Sequence, residues 1–296
     1  IITSVSVPGN STYIAASPLD FTINFDENVT VNTLGGTPYL NLTVGATTKP
    51  ATYVSGTGTS ALLFRYTLLT GDLDTDGIAI GTLATNGGTL RDAAGNDATL
   101  TLNSVGSTVA VLVDAVPPTI TSIVRQSPTT SPTNADALTF RITFDENVAG
   151  VSSADFSSTG PTGNSIGVTG SNAVYDITLS GGDLASLNAT VTLGFAGGQN
   201  VADAAGNALT NLTPIGTNNN TFELDNIAPL VSSITHQSPT TSPTNADALT
   251  WDVTFNSAVA NVDATDFIPS GTTGTIASVT NPSGNVYRIT VSGGDL

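Results

Sequence analysis

The chain has 296 residues, of which 39% are hydrophobic and only 10% are charged, so it can bury a core while Thr, Ser, Asn and Gly cover its surface. Its 23 acidic against 6 basic residues give a net charge of −17; this excludes nucleic acid and anionic membrane surfaces as partners and favours cations. The absence of Cys excludes disulfides, thiolate catalysis and Cys-type zinc sites, and no apolar run is long enough to insert into a membrane.

From the N-terminus, Leu19, Phe21, Ile23 and Phe25 alternate with polar residues. A period of two predicts a strand with one buried and one wet face. It runs directly into Phe25-Asp26-Glu27-Asn28. Leu62 to Leu68 reads as a further strand, followed by the acidic stretch Asp72-Leu-Asp74-Thr-Asp76-Gly77. Asp92-Ala-Ala-Gly-Asn96 follows, then Asp114 just before Pro117 and Pro118.

The same order then returns. Ser127 to Thr139, SPTTSPTNADALT, recurs unchanged at Ser238 to Thr250, an offset of 238 − 127 = 111 residues. Asp203 to Asn207 repeats Asp92 to Asn96, and Asp225 repeats Asp114, both at the same offset of 203 − 92 = 225 − 114 = 111. Leu138, Phe140, Ile142 and Phe144 alternate as the early strand does, and so do Leu249, Trp251, Val253 and Phe255. Val174 to Leu179 and Val286 to Val291 share another strand pattern. Three units follow: residues 1–116, the divergent one, then 117–228, then a partial 229–296. Proline at the boundaries limits the swing between units. The chain starts without a signal peptide and stops in mid-pattern at Leu296, as a fragment of something longer would.

No long helical stripe occurs. About seven short strands per hundred residues, with turn signals between them, predict an all-β chain of tandem immunoglobulin-like β-sandwich domains arranged end to end. The FDENV motif, the GTSALLFRYTLLTGDLDTDGIAI run, the DAAGN loop and the VDAVPPTITSI linker resemble bacterial Ig-like repeats of giant extracellular adhesins and surface proteins. SPTTSPTNADALTFRITFDENV and VYDITLSGGDL resemble a second variety of the same repeats. The resemblance implies a secreted or surface-anchored stalk, often stiffened by calcium, with any binding tip elsewhere.

Strand alternation in a seven-stranded sandwich brings the FDEN and DAAGN motifs to the N-terminal pole of each unit, where the preceding linker enters. At the junction of the first two units this predicts a cluster of Asp114, Asp145, Glu146, Asp203 and Asn207. Clustered carboxylates are costly without a cation, and several oxygen donors on loops suit Ca2+. Asp, Asn and Gly also serve simply as turn formers. The first unit carries Asp26, Glu27, Asp92 and Asn96 in the matching places. The third has Phe255-Asn256-Ser257 instead of Phe144-Asp145-Glu146, which leaves Asp225 facing a weak or empty site. Asp72, Asp74 and Asp76 match the front half of an EF-hand loop, but Leu83 stands where the bidentate Glu belongs. An acidic turn is therefore the preferred reading over a calcium loop.

Catalytic chemistry is not expected. His236 is the only His, stands where the second unit has Arg125, and reads as a surface residue; no nucleophile elbow or phosphate loop accompanies it. Trp251 alternates with core positions and reads as buried rather than as a sugar platform. The sequence thus points to a non-catalytic stalk or scaffold of a bacterial surface or extracellular protein serving adhesion, a surface layer or a filament. Its partners are neighbouring repeats, other copies in a filament or layer, or a cell-surface ligand bound through another region. The alternatives are a glycan- or protein-binding module, or accessory repeats of a larger secreted enzyme.

Overall fold

A computed structural model describes residues 1–296. The chain is all-β, with several sheets, two single-turn 3-10 segments and no α-helix. No helix is long and apolar enough to cross a membrane. Two compact units emerge, Ile1–Asp225 and Asn226–Leu296. The first contains two separate hydrophobic clusters, one formed between Ile2 and Ala115 and one between Ile120 and Leu224.

The first repeat contributes β1 (Ile2–Ser6), β2 (Ser11–Tyr13), β3 (Pro18–Asn32), β4 (Tyr39–Val44), β5 (Thr47–Ser55), β6 (Thr59–Thr67), β7 (Leu73–Asp74), β8 (Ala79–Ala84), β9 (Thr89–Arg91) and β10 (Val111–Asp114). One sheet has the order β1-β3-β6-β5-β4-β8, with β9 on β3; the other has β2-β10-β7. Residues of both sheets pool into one core. Leu19, Phe21 and Ile23 enter it from β3, and Val111 and Val113 from β10. Fully burying such a side chain contributes about 1.5–3 kcal/mol. The closing strand β10 lies parallel to β2, pairing Val111 with Ser11.

The second repeat contributes β11 (Ile120–Ser127), β12 (Ala137–Phe144), β13 (Val148–Ala149), β14 (Phe156–Thr159), β15 (Ser165–Ser171), β16 (Val174–Ser180), β17 (Thr190–Phe195), β18 (Ala202–Asp203) and β19 (Thr221–Glu223). Its sheets are β11-β12-β16-β15, β14-β17-β19 and the short pair β13-β18. Leu138, Phe140 and Ile142 from β12 meet Val191, Leu193 and Phe222 from β17 and β19 in the second core. The parallel closure recurs as a bridge between Thr133 and Leu224. The third repeat supplies β20 (Val231–Ser238), β21 (Ala248–Phe255), β22 (Thr275–Ser283) and β23 (Val286–Ser292), in one sheet of order β20-β21-β23-β22.

FDEN is not a loop following a finished strand. In the first repeat it lies inside the long β3, at a register shift between Asn24 and Val29. Before the shift β3 pairs with β6; after it Thr30, Val31 and Asn32 pair with β9. In the second repeat the strand breaks here into β12 and β13, and β13 pairs with β18. A bulge re-aims a strand in this way. FDEN is therefore the point where the strand leaves its sheet to pair beside the DAAGN loop.

The three repeats share a cross-strand ion pair in one place. Asp20 on β3 is directly opposite Arg65 on β6, Arg141 on β12 opposite Asp176 on β16, and Asp252 on β21 opposite Arg288 on β23. Each pair is bidentate, with N···O distances of 2.6–2.8 Å. The second repeat carries the two charges in the reverse order from the other two. Exchange of both partners at once is what a true facing pair permits.

Candidate functional site

The DAAGN loop is organised by its own aspartate. Asp203 Oδ1 accepts from the N–H groups of Gly206 (2.7 Å) and Asn207 (2.8 Å), and Oδ2 accepts from Asn207 Nδ2 (2.8 Å). Asp92 does the same for Ala94 and Asn96 in the first repeat, and the Asn96 side-chain amide leads in holding its carboxyl below the usual range. Glycine is needed in both loops, because Gly95 and Gly206 take φ of +92° and +102°. A side chain accepting from N–H groups just ahead of it in the chain is the Asx-turn arrangement.

The loops differ in what lies outside them. Asn207 Nδ2 also donates to the backbone oxygen of Asp114, at 2.8 Å. A side chain of the second repeat thereby holds the last strand of the first. Asp203 and Asn207 are buried, at 4% and 5% exposure, whereas Asn96 is exposed.

Asn207 bonds both the Asp114 backbone and the Asp203 carboxylate, and Glu146 lies within electrostatic reach of Asp114, Asp145 and Asp203. Burial raises the Glu146 carboxyl above its ordinary range, and the negative charges of Asp203, Asp114 and Asp145 raise it further. None of the chain's ion pairs reaches Glu146. The first repeat relieves its corresponding pole differently. There Glu27, Asp92, Asn96 and Asp97 line a cavity of about 150 Å3, and Arg91 pairs with Asp97 at 2.7 Å. The second repeat has Ala202 and Ala208 in those two places (202 − 91 = 208 − 97 = 111), so this cation is missing.

Within the cluster, Asp145 has a structural task that the residue pattern did not disclose. Its carboxylate accepts from Thr119 N and Thr119 Oγ1, both at 2.7 Å, while its own N–H donates to Thr119 O at 3.0 Å. It clamps the entry of β11 to the end of β12. Asp26 holds the backbone of Ile1 in the same way in the first repeat. Asn256 keeps the clamp in the third, accepting from Leu230 N at 2.8 Å. Replacing Asp145 by Asn256 thus removes a charge but preserves the hydrogen bond. Asp225 donates its N–H to Thr133 O at 3.0 Å, closing the second repeat.

The EF-hand-like stretch is an acidic turn whose carboxylates face protein donors. Asp72 is buried and accepts from Tyr66 Oη (2.6 Å), Leu69 N (2.9 Å) and Lys49 Nζ (2.7 Å). Burial works to raise its pKa, but Lys49, Tyr66 and Leu69 outweigh it and bring the carboxyl below the ordinary range. Asp74 accepts from Gly45 N and Gly77 N at 2.7 and 2.8 Å. Asp76 is exposed.

As to metals, the donor chemistry at the Asp114 junction is all oxygen, which suits a hard cation such as Ca2+. No group of three or more acidic side chains is converged as a cation site. His236 is exposed, as its position implied, and its ring stands 5.7 Å from that of Trp251. Trp251 is half-buried rather than buried, and it lines an open cavity.

No protein-family model matches the chain, and no curated protein matches it.

Proposed function

We propose that the chain is a non-catalytic stalk or scaffold segment of an extracellular or bacterial cell-surface protein, made of immunoglobulin-like β-sandwich repeats set end to end. The observation that carries this reading is the Asn207 tie to Asp114. A buried amide of the second repeat grips the backbone of the first, and the surroundings are acidic. A joint held by a buried hydrogen bond is a means of transmitting orientation along a chain. A cation at Glu146 stiffens the same joint by neutralising charges that the fold leaves uncompensated.

The distribution of aromatic residues supports a structural role. Phe21, Phe64, Phe140 and Phe222 are fully buried, so they serve cores rather than a ligand surface. The resemblance of the FDEN and DAAGN motifs to bacterial surface repeats agrees with this reading. Small-angle scattering of the intact chain provides the test. A rigid stalk gives a rod-like profile in millimolar calcium; a profile of freely jointed domains, unchanged between calcium and EDTA, rejects it.

A further inference from the structure

We propose that the first repeat carries a binding groove for a neutral glycan chain on the outer face of β4 and β5. Leu40, Leu42 and Val44 turn one face of β4 into the core, so Tyr39 and Asn41 lie on the other. Tyr39 stands directly opposite Thr52 of β5, and Asn41 opposite Pro50. These four residues floor an open groove of about 420 Å3, within the roughly 300–1,000 Å3 of small-ligand sites. The second repeat ends its corresponding sheet at β15, whereas β4 and β8 extend that of the first, so this floor has no counterpart in the second repeat.

Tyr39 singles this groove out. The hydroxyls of Tyr13, Tyr53, Tyr66, Tyr175 and Tyr287 all hydrogen-bond within the protein; that of Tyr39, the sixth tyrosine, does not. A half-buried ring with an unengaged hydroxyl offers a flat apolar surface and a polar handle together. Beside it the Asn41 amide is held in place, its Nδ2 donating to Thr82 Oγ1 at 3.0 Å. The rim is built by two diglycine loops. A Cβ on Gly35 would run into Gly87 O, and one on Gly36 into Asn86 O, so the loops pack backbone against backbone. Asn86, at φ of +51°, closes the rim by donating from Nδ2 to Thr37 O at 3.3 Å. A site fixed by such contacts needs little ordering when a ligand arrives.

The lining selects the occupant. It consists of Thr hydroxyls, Asn amides, Tyr39 and Pro50, with no charged residue, in a chain of net charge −17. The two cations of β5 and β6 are both engaged. Lys49 pairs with the buried Asp72, and Arg65, opposite Thr52, is held by both oxygens of Asp20. Phosphates and acidic sugars are therefore not drawn here. An incoming peptide strand finds no free backbone, because β4 is paired on both sides by β5 and β8, and β5 by β4 and β6. A neutral hexose chain fits each feature. Its C–H face lies on Tyr39 and Pro50, and its hydroxyls meet the amides and hydroxyls around them. A β-1,4-linked chain fits best, since its flat ribbon matches a floor made by two paired strands.

The test is a titration of the full, isotope-labelled chain with cellohexaose, read residue by residue by NMR, with hexagalacturonate as the charged comparison. The expected result is a set of saturable shifts confined to the residues around Tyr39, Thr52 and Asn86, with a Kd of about 1 mM or tighter. Tyr39→Ala weakens binding about tenfold or more by removing the stacked ring. Asn86→Gly keeps the backbone that φ of +51° demands and removes only the side-chain amide, so it preserves the fold and weakens binding about threefold or more. Absence of shifts up to about 5 mM cellohexaose, a range covering weak affinities, overturns the proposal. Shifts spread away from the groove, or unchanged affinity in either variant, overturn it too. Equal binding of hexagalacturonate overturns it as well, because the uncharged lining then selects nothing.

Discussion

Replacing Asn207 isolates the joint between the first two repeats. Asn207→Ala removes two buried hydrogen bonds: one from Nδ2 to the neutral Asp114 oxygen and one to the charged Asp203 Oδ2, each 2.8 Å long. The first is worth about 0.5–1.5 kcal/mol and the second about 1.5–3, giving a loss of roughly 2–4 kcal/mol from the second repeat. For a domain of this size about 1 kcal/mol lowers Tm by roughly 4 °C, so its transition falls by roughly 8–16 °C. Asn96→Ala removes the equivalent bond to Asp92 at an exposed loop, where water replaces it, and costs under about 1 kcal/mol. Asn207→Asp sets a carboxylate against Asp203 and the Asp114 carbonyl, and so destabilises more than Asn207→Ala in EDTA. The assay is calorimetric or urea unfolding of the intact chain, with the transitions of the repeats resolved. Equal losses for Asn207→Ala and Asn96→Ala would refute the assignment of Asn207 to the joint.

Three further outcomes follow from the charges. Glu146→Gln stabilises the cation-free protein at neutral pH, because the raised carboxyl makes the native state lose stability as pH climbs from the ordinary carboxylate value through the raised one; unfolding across pH should show the benefit vanish below that window. Asp72→Asn breaks a buried pair with Lys49 and costs about 3–5 kcal/mol in the first repeat near neutrality. Because the Asp72 carboxyl is held low, the wild-type advantage is complete above the ordinary Asp range and is lost as pH falls through the depressed value, which acid titration of the unfolding transition would follow. Arg141→Asp puts two aspartates face to face and costs about 1 kcal/mol at this half-exposed site, and adding Asp176→Arg restores it; a double variant no more stable than the single, by urea midpoint, would contradict the facing-pair account.

Much of the β-structure was legible from period-two alternation. The pattern at Leu138–Phe144 became β12, Val174–Leu179 became β16, and Val286–Val291 became β23, since a face that must be buried imposes its period on the residues that fill it. The internal repeat likewise marked the FDEN and DAAGN motifs as equivalent positions, and strand direction alone pointed to the nearness of Asn207 and Asp114. Non-local details were hidden. The parallel pairing of β10 with β2 joins residues about a hundred positions apart, and no local signal announces it. The bulge inside β3 arises because one strand serves two partners. Asp145 looked like a ligand because its residue type is the same whether it meets a metal or Thr119 N–H. Trp251 looked buried because alternation tells which face a residue occupies but not whether that face is covered.

The central claim is that the joint at Asp114, Glu146 and Asn207 is a cation-stiffened coupling between repeats. Differential scanning calorimetry of the intact wild-type chain and of Glu146→Gln, each with EDTA and with millimolar calcium, tests it most directly. The account predicts that calcium raises the wild-type transition of the second repeat and has a clearly smaller effect on the Glu146→Gln variant. Equal shifts in both proteins, or no shift in either, would contradict it.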